Sequence, residues 1–379
     1  MILLLLLILR NPQRSMYYAL SGLNLWFTRM VPALFPFMIL SDIMVRLGLT
    51  ERFAALFFPL VHPLWRVSKN GAYVMFMGFL CGFPMGAKVT AQLVREKKLP
   101  SREGEFLLAF CNNIGPVYFL SYVLPLLKLT KSLPYLIGMY GIPLLYGIFL
   151  QHAFSGKKSF FLPYVQKFQN IDRQKEKSAA QSTDRILQSE NHKKLQNHKV
   201  PGEIFTEKIL TERISMEENP HSNIKKDAIS FTGTSVIIAM DEAVLSSGRS
   251  ILTLGGYMIL FNLLNLLPYE AGKLLLLGER LQKGSNSVSL YRIASFTEKI
   301  CAPFLEITGG IGRLKGEMSL LVLLLLPLGG LCCLAQTGSC IRNTELSLGN
   351  YVLHKCILVL LTAGFYLGWY LLFPGSFLK

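Results

Sequence analysis

Four polar residues in this chain, Lys88, Asn112, Asn113 and Glu306, sit where an apolar run is broken by Gly or Pro. In GAYVMFMGFLCGFPMGAK, from Gly71 to Lys88, an apolar helix stops at Gly82, Phe83, Pro84 and Gly86 and a lysine follows. In LLAFCNNIGPVYFLSYVLPLL two adjacent amides, Asn112 and Asn113, precede Gly115 and Pro116. IASFTEKICAPFLEITGGIGR places Glu306 just ahead of Thr308, Gly309 and Gly310, and SLLVLLLLPLGGLCCLAQTGS breaks at Pro327, Gly329 and Gly330 and carries Gln336 near its end. Pro lacks an N–H and Gly-Pro unwinds a helix, so each break frees backbone groups. In lipid such groups are tolerated only where protein buries them or a wet cavity receives them. The breaks are therefore the candidate site, with the Asn amides as donors and acceptors.

Each of these residues also has a structural reading. Lys88 serves equally as a lysine snorkelling to the interface beside the basic stretch that follows, and adjacent asparagines serve as polar glue between helices. Phe83 and Met85 fit packing between helices better than ligand contact, and Gly82, Pro84, Gly115 and Pro116 act through geometry more than as ligands. Asp42 and Arg46 lie four apart in a membrane run, on one helix face, where they can neutralise each other. An ionisable group at the bilayer centre costs about 2.5 to 3.5 kcal/mol, so this pair is either a salt-bridged helix end or an inward-facing functional pair.

The elements that must position these residues belong to a polytopic, all-α membrane protein. The 379 residues are 51% hydrophobic and 16% charged, too apolar for average soluble usage, and the charge is concentrated in residues 156–229. The remainder contains repeated stretches near the roughly 20 residues that span a bilayer. Four regions follow: a short apolar N-terminal segment, 1–15, whose nine residues before Arg10 reach about 14 Å as a helix; a first membrane block, 16–155; a charged, largely disordered cytoplasmic insert, 156–229; and a second membrane block, 230–379. The N-terminal segment reads as the tail of a longer first helix or as an interfacial anchor. A net charge of +16 invites a nucleic-acid reading, but Lys and Arg recur at the edges of apolar runs, the pattern of cytoplasmic loops.

Enzyme chemistry finds no foothold: no nucleophile stands with a base, and neither HExxH, a phosphate loop nor a metal cluster is present. No catalytic residue, cofactor or metal is expected. Six of the seven cysteines (Cys81, Cys111, Cys301, Cys332, Cys333 and Cys356) lie in or beside apolar runs and read as packing residues. His152, His192, His198 and His221 lack metal-ligand spacing.

The halves correspond. VPALFPFMILSDIM, GFLCGFPMGAK and FCNNIGPVYF occur in that order, as do ILTLGGYMILFNLL, FLEITGGIG and LGGLCCLAQTG, so each half has one long helix and two interrupted or re-entrant ones. Gly255 and Gly256 in the second long helix are a pair that lets helices approach closely. Broken apolar segments at matching positions of two halves point to a transporter site between repeats.

At VPALFPFMILSDIM, GFPMGAK, LLAFCNNIGP, GGYMILF, LEITGG and the GLCCLAQ run, the chain resembles the sporulation integral membrane proteins of the YlbJ type, within the Gate, or nucleoside recognition, superfamily. It departs from that pattern at Leu334, where a His is expected before Ala-Gln, and at Asn113 and Ile114, where Thr-Ser often precedes Gly-Pro. The resemblance implies a permease in the mother-cell-derived membrane around the forespore of endospore formers, passing dipicolinate, a small aromatic dicarboxylate. On that view Gly82, Phe83, Pro84, Gly86, Lys88, Asn112, Asn113, Gly115, Pro116, Thr308 and Gln336 form the substrate site. Positive helix ends and freed amides face a carboxylate, Lys88 neutralises it, Asn112 and Asn113 hydrogen-bond the ligand, and Phe83 offers a ring face. Glu306, which would repel a dianion, is protonated, paired with Lys88 or Arg313, or carries a coupling ion. The partners implied are the lipid bilayer and a small anionic solute, with room for a homo-oligomer. A nucleoside permease and a scaffold acting through the basic insert are the rival readings.

Overall fold

The computed structural model describes residues 2–127, 129, 132–155, 233–281, 299–314 and 316–373, with backbone alone at 154–155, 233–235 and 275–281. The insert at 156–229, with His192, His198 and His221, lies outside the described residues. Regular structure among the described residues is helical. Six helices are long and apolar enough to cross a bilayer: Pro12–Arg46, Ser101–Leu126, Leu133–Ala153, Val236–Leu274, Ser319–Ile341 and Leu348–Leu372, called here the first to sixth spans. Leu20, Leu40, Phe149, Leu252, Leu360 and Leu371 on these spans are exposed, an outward apolar surface that lipid would cover.

The segment before the first span is a helix of its own, Ile2–Arg10. Asn11 leaves helical geometry and Pro12 opens the next helix, where its missing N–H would have had no partner anyway.

The first and fourth spans run antiparallel along their length. Arg46 bonds Glu242 at one end, Ser247 donates to Asp42 at 3.1 Å, Trp26 Nε1 donates to the Ile251 carbonyl at 2.9 Å, and toward the other end Arg10, on the short helix that precedes the first span, lies 4.0 Å from Glu270. Close approach is achieved at Gly255, where a Cβ would stand 2.6 Å from the Trp26 indole. The expected glycine pair is thus half right, because a Cβ on Gly256 would meet nothing within 4 Å. Trp26 begins a π-helical turn, Trp26–Met30, the kind of local widening that often accompanies function.

Between the spans lie the interrupted helices. Lys69–Cys81 and Met85–Arg95 are separated by Gly82, Phe83 and Pro84, and the second span is broken at 112–115. In the second block Glu306 stands between a helix over 299–305 and Ile307–Leu314, and the fifth span is broken between Leu325 and Gly330. Among the described residues each half thus pairs one long helix, the first or the fourth span, with two interrupted ones, and the third and sixth spans are further unbroken helices.

Candidate functional site

The two breaks of the first block cross each other backbone to backbone. Gly82 has φ +82°, a conformation that L side chains rarely adopt, and a Cβ there would lie 2.2 Å from the Gly115 nitrogen. A Cβ on Gly78 would lie 2.2 Å from the Cys111 carbonyl oxygen, and one on Gly115 2.8 Å from that of Cys81. Pro116 is the first residue of the helix that resumes the second span.

Asn112 ties this crossing to the second block. Its Oδ1 accepts from the Ala87 N–H at 3.3 Å, and its Nδ2 donates to Thr337 Oγ1 at 3.1 Å and Tyr351 Oη at 3.0 Å. Asn113 donates to the Phe110 carbonyl and accepts at Oδ1 from Lys355 Nζ at 2.9 Å. Lys355 also donates to the Asn112 carbonyl and places its ammonium 4.9 Å from the Phe83 ring centre and 5.5 Å from that of Tyr351. It is fully buried, and among the described residues no carboxylate is bonded to it. Two carbonyl oxygens and two ring faces are its compensation. Sequence reasoning missed Lys355 because it took the last helix as an ordinary span. The available signal was a lysine four residues after Tyr351 in a run without an acid.

Beside this crossing opens a cavity of about 330 Å³ lined by residues of both blocks, Met38, Pro84, Lys88, Gln92 and Arg95 from the first and Ser246, Arg249, Ser250, Thr253, Tyr257, Gln336 and Ser339 from the second among them. Its volume suits a small ligand. Three cations and several hydroxyl and amide groups face it, and no carboxylate is among its lining residues. Lys88 is buried rather than snorkelling, and its Nζ lies 3.3 Å from Asp42 Oδ2. That contact corrects the helix-face reading of Asp42 and Arg46: Asp42 pairs with Lys88 and Arg46 with Glu242. Asp42 is turned inward, where an unpaired charge is far costlier than at the helix end. Gln336 lines the cavity while donating to Cys332 Sγ at 3.1 Å.

Glu306 and Thr308 belong to a different cluster. Glu306 accepts the N–H groups of Thr308 and Gly309 at 2.9 and 2.6 Å and the Nδ2 of Asn262 at 2.9 Å, capping Ile307–Leu314. Asn262 in turn accepts from Arg313 Nη2 at 3.2 Å. The expected pairing with Lys88 is therefore replaced by a cap, and the link to Arg313 runs through an amide. Carboxylate caps on a helix N-terminus are worth about 1 kcal/mol or more. Glu306→Gln, which keeps one acceptor oxygen, is expected to lower the thermal midpoint by a few degrees, measured by melting. An unchanged midpoint would remove the capping role and leave the coupling reading of Glu306 standing.

Residues 27–128 match the family model Gate, described as nucleoside recognition. This stretch contains Asp42, the first-block breaks and Lys88. The chain is 34% identical over 116 residues to the sporulation integral membrane protein YlbJ of Bacillus subtilis (strain 168), an alignment that covers 31% of this chain and 28% of that protein. No solved structure matches the chain.

Proposed function

We propose that this chain, whose residues 27–128 match the Gate model and which resembles YlbJ over 116 residues, is a permease of endospore formation for a small organic anion, dipicolinate being the candidate, and not an enzyme. The observation that carries this reading is the cavity between the blocks, which joins Lys88, Arg95 and Arg249 to hydroxyl and amide donors and includes no carboxylate among its lining residues. A neutral nucleoside, which the family description brings to mind, has no use for three cations. Small anions do, because charge-assisted hydrogen bonds are roughly twice as strong as neutral ones. Asp42 balances Lys88 within the protein, so an arriving carboxylate shares that ammonium with it. The permease sits in the membrane around the forespore and passes its substrate from mother cell to spore.

Dipicolinate flux into proteoliposomes tests this. Wild type is expected to give saturable flux, and Lys88→Ala to raise KM at least about tenfold, the loss of one hydrogen bond to a charged group at about 1.5 to 3 kcal/mol. Asn112→Ala, which unties the break from Thr337 and Tyr351, is expected to lower the maximal rate. Saturable uptake of nucleosides with none of dipicolinate would transfer the site to the nucleoside reading. Failure of folded protein to move either would favour a scaffold.

A further inference from the structure

The ammonium of Lys88 has two sides. It lines the cavity between the blocks, and it also lies 3.3 Å from Asp42 Oδ2. That same carboxylate oxygen accepts from Ser247 Oγ at 3.1 Å. Asp42 and Ser247 are both buried, and neither is among the residues that line the cavity. One oxygen thus joins three elements: the first span through Asp42, the helix Met85–Arg95 through Lys88, and the fourth span through Ser247.

The other two cations of the cavity differ from Lys88 in exposure. Arg95 and Arg249 are exposed, so water and salt screen them and they act mainly by attracting an anion. The grip on a bound anion falls to buried Lys88, whose charge is far less screened. With no counter-charge such an ammonium would hold a carboxylate too firmly, and passage demands binding weak enough to undo. Asp42 supplies that moderation. It draws on the same ammonium as an arriving carboxylate, so each weakens the hold of the other, a coupling that is reciprocal by thermodynamic necessity. As Lys88 turns to the ligand, Asp42 falls back on the Ser247 hydroxyl, a partner that a buried charge needs.

We propose that Asp42 is an internal competitor for the Lys88 ammonium, a positioning residue that sets how tightly the cavity holds an organic carboxylate and how fast it lets go, with Ser247 as its support. The proposal rests on the anion-permease reading of the cavity. It gives two residues that do not line the cavity opposite effects on affinity. Removal of Asp42 takes the competitor away and tightens binding. Removal of the Ser247 hydroxyl costs Asp42 one of these two partners while the cavity is empty, but the one it falls back on once the cavity is filled, so binding weakens. An ion pair that merely held the fold together would give neither effect.

Titration calorimetry of the full chain in phosphatidylcholine nanodiscs, with dipicolinate as the probe, and flux into proteoliposomes test this. Asp42→Asn, which keeps the shape and one acceptor oxygen, is expected to lower Kd at least about tenfold, the worth of one hydrogen bond to a charged group. Affinity changes of this kind fall mainly on release, so its maximal rate is expected to drop by a similar factor and KM with it. Because this variant leaves a buried ammonium without its carboxylate, it is extracted with dipicolinate present and then dialysed free of it. Ser247→Ala keeps the ion pair, is expected to fold as checked by its melting, and is expected to raise Kd about threefold or more. A Kd of Asp42→Asn at or above that of wild type overturns the competitor. Where Asp42→Asn yields no folded protein, Ser247→Ala decides, and an unchanged Kd there overturns the competitor as well. In either case binding by wild type leaves the permease reading standing. No binding of dipicolinate by folded wild type sinks that reading and the competitor with it.

Discussion

Lys355→Met is expected to lose at least about tenfold in anion flux while melting no lower than wild type. The two halves of this outcome come from opposing costs. Methionine leaves the Asn112 carbonyl and Asn113 Oδ1 without their buried donor, at about 1 to 3 kcal/mol for each unsatisfied acceptor. Against this, removal of a buried ammonium relieves a desolvation penalty of several kcal/mol, which no carboxylate among the described residues offsets. The two terms are of similar size, so stability alone gives no reason for a lysine here. The proposed permease does: Lys355 holds both adjoining breaks through Asn112, Asn113 and Phe83, in a low-dielectric interior where electrostatic forces are less screened. Lys355→Arg is expected to fail as well, because a planar guanidinium cannot replace a compact ammonium among two oxygens and two rings. Flux in proteoliposomes and a melting curve on the same sample decide the matter. A variant that melts lower and transports normally would make Lys355 a purely structural tether.

The positions of the breaks were legible because Gly and Pro act locally: Gly82, Pro84, Gly115 and Pro116 interrupt helices wherever they are placed. Their being brought together was legible only as an inference from the repeat, since crossing depends on which backbone the missing side chains admit. Charge pairing was misread where it was local in appearance. Asp42 and Arg46 satisfy the helical spacing rule, yet Asp42 pairs with Lys88 46 residues along the chain and Arg46 with Glu242 196 residues along. Helical spacing says which residues share a face; it does not say what packs against that face. Glu306 was a readable cap, since a carboxylate ahead of Thr308-Gly309-Gly310 faces the free N–H groups of the helix it precedes. A functional expectation for Glu306 obscured that simpler chemistry. Lys355 was the residue least open to sequence reasoning, because its role lies in the carbonyl groups of a distant break and has no local signature.

Gly82→Ala is expected to prevent accumulation of folded protein, and the reason separates this glycine from others in the same chain. A residue other than glycine held at φ +82° costs about 1 to 3 kcal/mol in backbone strain alone. The added methyl would also stand 2.2 Å from the Gly115 nitrogen and 2.7 Å from its Cα. These are main-chain atoms, so no rotamer change relieves the overlap, and the two breaks must part. Overpacking of this kind adds about another 1 to 3 kcal/mol, which brings the sum close to the entire stability of a marginal protein. Parting the breaks also pulls Asn112 and Asn113 away from Tyr351 and Lys355, so residual folded protein should not transport. Gly364→Ala and Gly368→Ala in the sixth span are the controls: a Cβ at either meets nothing within 4 Å, and alanine favours a helix interior by up to about 1 kcal/mol. Size-exclusion profiles of the three variants, extracted in the same detergent, are expected to show monodisperse protein for the two controls and aggregate or no protein for Gly82→Ala. A monodisperse, active Gly82→Ala protein would mean that the breaks do not cross at this distance, and the site built on their crossing would have to be redrawn.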